Sequence, residues 1–133
     1  MRRKPLAVIL FLFLFSFLIV PITWGSDACK SIAGTWTFVE KLTKTSCTDE
    51  WVGKRYTETV TFEQRGCIAT VPATRLKFDM NTGAISGSYP EQDGTTKIKS
   101  GSLNLNTYRG SWTWIFRSPG ENCRGASVIE LKR

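Results

Sequence analysis

From residue 33 to the C-terminus, apolar and polar residues alternate in short segments, and none of those segments keeps a helical period. Successive side chains of an extended chain point to opposite faces, so this pattern reads as a series of half-buried strands. Ile32, Trp36 and Phe38 share one face of a first strand over 33–42. Tyr56, Val60 and Phe62 share a face of a second over 55–64, and a short third over 68–71 stops at Pro72, which cannot donate to a ladder. Leu76 and Phe78 mark a fourth over 74–79, and Ile85 and Tyr89 a fifth. Ile98, Leu103 and Leu105 form a sixth, with a bulge or bend expected near Gly101. Trp112, Trp114 and Phe116 stripe a seventh, and Ile129 and Leu131 end the chain on an eighth.

The connections are mostly tight turns. Asp93-Gly94 is a type I′ hairpin signal, which would set Tyr89 opposite Ile98 and Gly87 opposite Ser100. Asn81-Thr82-Gly83 marks another turn, and 118–122 a longer loop. Residues 43–54 form the longest connection, which contains Trp51 and Val52 and reads either as a lid or as a stretch holding a short helix. Eight short strands joined in this way predict an all-β, eight-stranded antiparallel up-and-down barrel, because closure removes the exposed edges of a meander. The first and seventh strands then run the same way. This accounts for the near-repeat of GTWTF at 34–38 and GSWTWIF at 110–116 as similar barrel positions, with aromatics inward and Thr and Ser outward.

The N-terminus has a different character. Arg2, Arg3 and Lys4 precede an apolar run from Leu6 to Val20, Pro21 breaks it, and small residues follow. This is the layout of a signal peptide over 1–25, with cleavage as late as 28, and it leaves a barrel domain over 29–133. The run is shorter than the roughly 20 residues of a membrane span. The expected location is therefore secreted or periplasmic, with membrane attachment only if the segment stays uncleaved or Cys29 is lipidated. Removing those three basic residues from 18 leaves 15 against 11 acidic, a mature net charge of about +4. The charge is scattered, which speaks against nucleic acid as a partner.

An exported chain with four cysteines, at 29, 47, 67 and 123, reads as two disulfides. The spacings do not match zinc pairs such as C-x2-C. With the first strand running up, Cys29 and Cys67 fall at the bottom of the barrel and Cys47 and Cys123 at the top. Strand length separates the two ends by far more than the roughly 7 Å a disulfide can span between Cα atoms. The expected pairs are Cys29–Cys67 and Cys47–Cys123, provided that the third and fourth strands are separate.

In these features the chain resembles the lipocalin and wider calycin-like barrels, and most closely the small exported lipocalin-like domains of bacteria. Gly34-Thr35-Trp36 stands where that family has its G-x-W motif, and Arg133 where a basic residue ends the last strand. The resemblance implies that Arg133 packs over Trp36 to close the barrel base.

The chain contains no histidine, which excludes Ser-His-Asp and Cys-His catalysis and the commonest metal ligand. It has no P-loop and no G-x-G-x-x-G, so no cofactor or metal site is expected. Asp49-Glu50 and Glu121 fall on loops as ordinary surface charge, and no enzymatic activity is expected. Glu58 is the unusual carboxylate. Alternation puts it on the inward face between Tyr56 and Val60, as a polar handle in a pocket, a rim residue or the product of a one-residue slip. Two functions remain. The first is binding of a small apolar or amphiphilic ligand, with Trp112, Trp114, Tyr56, Glu58 and Trp51 as the expected contacts. The second is a protein-interaction module, such as an inhibitor of a secreted hydrolase, that binds through its loops. The density of aromatics in so short a chain favours a filled barrel.

Overall fold

A computed structural model describes residues 29–133; the signal-peptide reading of 1–25 lies outside them. The strands are β1 (Gly34–Thr45), β2 (Arg55–Arg65), β3 (Ile68–Thr70), β4 (Lys77–Asp79), β5 (Ile85–Pro90), β6 (Thr95–Leu103), β7 (Arg109–Ser118) and β8 (Glu121–Lys132). Each pairs antiparallel with the next, and β8 pairs with β1 to close the barrel. Every strand is therefore paired on both sides, as the alternation predicts. Along β1, Trp36, Phe38, Glu40 and Leu42 point inward, opposite Val60, Glu58 and Tyr56 of β2. On the outer face, hydroxyls pair across strands, Thr35 with Thr61 at 3.3 Å and Ser100 with Thr113 at 3.0 Å.

Three local expectations are corrected. The fourth strand begins at Lys77, because residues 71–76 make a turn in which the Thr74 hydroxyl donates to the Val71 carbonyl at 2.7 Å. The first strand runs three residues past Leu42. Pairing with Ala126 and Gly125 of β8 draws Lys44 and Thr45 into the ladder, and a bulge between Leu42 and Lys44 absorbs the register change. The β5–β6 turn is centred on Gln92-Asp93, with the Glu91 N–H donating to the Gly94 carbonyl at 2.8 Å. This sets Gly87 opposite Ile98 and Tyr89 opposite Thr96. Gly94 does not take the positive φ of a type I′ turn. A side chain there would strike the Arg117 backbone and the Phe116 ring, so close approach to β7 is what requires glycine. The altered turn keeps Tyr89 on the inward face.

The bulge expected near Gly101 lies between Ile98 and Ser100. It switches the inward parity, so Ile98 and Leu103 both reach the core.

The base is packed solid. Ile32, Phe62, Phe78, Met80, Ile85 and Leu131 are buried there, and Phe62 meets Phe78 edge to face at 5.1 Å. Trp36 donates its indole N–H to the Ile32 carbonyl at 2.8 Å and packs on Tyr108 at 5.1 Å. The Arg133 guanidinium carbon lies 4.2 Å from the centre of the Trp36 ring, the contact implied by the resemblance. Gly34 enters β1 at φ +115°, a conformation that L side chains rarely adopt.

Cysteines 29 and 67 are joined at the base, with Cα atoms 5.5 Å apart, and cysteines 47 and 123 at the top, at 5.1 Å. These are the expected pairs, and the separation of β3 from β4 is what permits them. Two disulfides favour a non-reducing compartment. Among the described residues no helix is long and apolar enough to cross a membrane.

Two stability changes are expected. Arg133→Ala should cost about 0.5–2 kcal/mol in a denaturant titration by loss of the cation–π contact, and Arg133→Lys should cost less. Replacing Cys47 and Cys123 together by serine should cost about 2–5 kcal/mol, read as a lower midpoint; no change would mean that the top staple is idle.

Candidate functional site

Above the sealed base the barrel is hollow. A cavity of about 530 Å³ opens beside the connection between β1 and β2, and one of about 400 Å³ opens beside the 71–76 turn. They share Glu40, Glu58, Tyr89, Glu91 and Gln92, so they are two lobes of one mouth. The expectation of a filled barrel therefore holds for the lower half alone. The wall is low where β3 and β4 are three residues each, and the interior opens above them.

The expected contacts converge on this mouth. Tyr56, Glu58, Trp51 and Trp114 line the first lobe, and Glu58 and Trp112 the second. Their exposures differ widely. Trp112 and Trp114 are 3% and 8% exposed and form the wall, whereas Tyr56 and Trp51 are 48% and 39% exposed and form the rim. Trp51 sits on a single 3-10 turn, Asp49–Trp51, whose start is capped by the Thr48 hydroxyl. Glu58 faces inward, as alternation places it. It is also exposed, because it stands at the level where the mouth opens.

The near-repeat thus serves two ends. Trp36 of GTWTF closes the base, and Trp112 and Trp114 of GSWTWIF wall the cavity. The two stretches run in the same direction but do not occupy equivalent positions, since Gly110 and Glu40 both pair with Ile129 of β8. This corrects the expectation of similar barrel positions. Staggered registers are what closing tilted strands requires.

Polar groups fix the wall. Trp112 donates its indole N–H to a Glu40 carboxylate oxygen at 3.0 Å, and Trp114 donates to the Ser127 hydroxyl at 3.1 Å. Trp112 stacks on Tyr89 at 6.1 Å and tilts against Phe38 at 5.4 Å. The buried Thr96 hydroxyl donates to the Glu91 carboxylate and holds it over the mouth. Burial pushes the Tyr89 phenol pKa far above its ordinary value. Glu40 and Glu91 push in the same direction, the neighbouring Thr96 hydroxyl opposes them, and Glu58 adds a smaller push.

Glu40, Tyr89, Glu91 and Thr96 were not among the expected contacts. Glu40 carried a signal, since it shares the inward parity of Trp36 and Phe38. Glu91 carried none, because its position depends on the turn geometry. Among the described residues, no group of three His, Cys, Asp or Glu side chains is placed to hold a metal ion.

No protein-family model matches the chain, and no curated protein matches it. The closed eight-stranded antiparallel barrel is compatible with a lipocalin-like fold, and that fold is compatible with a binding protein.

The Tyr89 shift gives a pH dependence. Its folded pKa lies above the unfolded value of 10.0. The protonated phenol's contribution is therefore whole below pH 10 and falls as pH rises beyond it. The stability difference between the protein and Tyr89→Phe should be flat below about pH 9. It should shift against the tyrosine form above pH 10. A difference that is flat through pH 11 would contradict the burial.

Proposed function

We propose that this is an exported, non-enzymatic binding protein that holds a small apolar or amphiphilic ligand in the mouth of its barrel. One observation carries the reading: two joined, aromatic-walled lobes stand open above a sealed base. Small-molecule sites are commonly concave, mostly apolar and largely preformed, in the range of roughly 300–1,000 Å³. Trp112, Trp114 and Phe38 supply apolar wall, the carboxylates supply polar handles, and the connection carrying Trp51 lies over the first lobe.

The alternative, a protein-interaction module such as an inhibitor of a secreted hydrolase, draws on a different feature. Trp51 and Val52 are adjacent, large and exposed on that same connection. Loops often carry contacts of this kind.

A titration with the neutral apolar dye phenylnaphthylamine separates the two. Saturable dye enhancement at micromolar protein, competed by decanol and weakened by Trp112→Phe, is the expected result. This substitution keeps an aromatic ring in the wall while removing the indole bond to Glu40. Absence of any saturable response from the disulfide-intact protein would shift the search to partners of the Trp51 loop.

A further inference from the structure

The charges lining the mouth run against those of the chain. The sequence has 18 Lys and Arg against 11 Asp and Glu. Yet every charged side chain that lines either lobe is acidic: Glu40, Glu58, Glu91 and, at the first lobe alone, Asp93. Among the described residues, the ion pairs are those of Glu130 with Arg109 and with Lys132, on the outer surface. No lysine or arginine of the described chain neutralises the mouth at ion-pair distance.

A carboxylate held beside apolar wall loses part of its hydration, and an opposite charge in the same place restores what is lost. The wall offers a second recognition element of the same sign. Aromatic faces attract cations through the ring quadrupole, and Tyr89, Trp112 and Phe38 stand together beside these carboxylates. The carboxylates are not grouped to coordinate a metal ion. They lie around a space sized for an organic group.

Resting on the small-ligand reading above, we infer that the mouth selects an amphiphilic organic cation, a protonated or quaternary amine carrying an apolar chain or ring. The ammonium lies among Glu40, Glu58 and Glu91, against the faces of Tyr89 and Trp112. The apolar part fills the second lobe over Val60, Leu76 and Phe78. Thr96 and the Trp112 indole already hold Glu91 and Glu40 in place, so those two carboxylates need little reordering when the cation arrives. The raised phenol pKa of Tyr89 is consistent with this field, since all three carboxylates contribute to it.

The test compares probes that share one chain and differ in charge: decyltrimethylammonium, decanol and decyl sulfate. Each is titrated below micelle formation into the disulfide-intact protein, by calorimetry and by displacement of phenylnaphthylamine. Non-specific attraction to a basic protein favours the sulfate, so the expected order is set by the cavity alone. The cation should bind at least about tenfold tighter than decanol, and the sulfate weakest. Glu58→Gln, Glu40→Gln and Glu91→Gln should each weaken the cation by about threefold to tenfold and leave decanol nearly unchanged. Glu63→Gln, the same charge change on the outer face of β2, should affect neither. Added salt should weaken the cation more than the alcohol.

Equal affinity for cation and alcohol, or equal losses for both in Glu58→Gln, would overturn the cation assignment and leave the ligand site standing. Failure of all three probes and of the dye would overturn both. Gln at position 40 still accepts from the Trp112 indole, so the variants are expected to fold, and near-UV circular dichroism checks that.

Discussion

Closure of β1 on β8 is the constraint on which everything else depends. A meander of eight short strands would leave two open edges, and pairing β1 with β8 removes both. Closure brings Arg133, at the end of the chain, onto Trp36, near its start, and this contact plugs the bottom of the cylinder. Ile32 and Tyr108 complete the plug through the indole hydrogen bond and ring packing. With the base sealed by few residues, the large aromatics of β7 are free to form a wall higher up.

A barrel that is solid below and hollow above gives up core. A chain of this size has little apolar burial to spare, and one disulfide at each end supplies part of what the cavity forgoes. The Cys47–Cys123 bond has a further consequence. It ties the start of the Trp51 connection to β8, so the rim of the mouth is anchored where the core is thinnest. The acidic lining can be tolerated there, because carboxylates at an open mouth keep part of their hydration. In the packed base they would not.

Much of the fold was legible in the sequence because period-two alternation is a local signal and barrel closure is a strong global one. The disulfide pairs followed from strand direction once the third and fourth strands were taken as separate, since cysteines at opposite ends of a strand cannot meet. The indole–guanidinium plug followed from a resemblance and two residue positions. The misses lie where tertiary contacts decide. The turn at 91–94 answers to the approach of Gly94 on β7, so Asp93-Gly94 misled by giving a local cue. The extension of β1 to Thr45 comes from its partner β8. The candidate site was half legible: parity turned Glu58 inward, and would have done the same for Glu40, but Glu91 reaches the mouth only through the turn. Whether inward aromatics fill a barrel or wall a cavity depends on the heights of β3 and β4, which composition does not reveal.

The central claim, a sealed base beneath a water-accessible mouth, is tested most directly by hydrogen exchange at the tryptophan indoles, followed by NMR. Trp36 and Trp114 donate to buried protein oxygens, whereas Trp112 donates to a carboxylate in the mouth. The Trp112 indole proton should exchange at least about tenfold faster than that of Trp36 under native conditions. Equally slow exchange at Trp36, Trp112 and Trp114 would mean that the barrel is filled throughout and that the mouth is not a site.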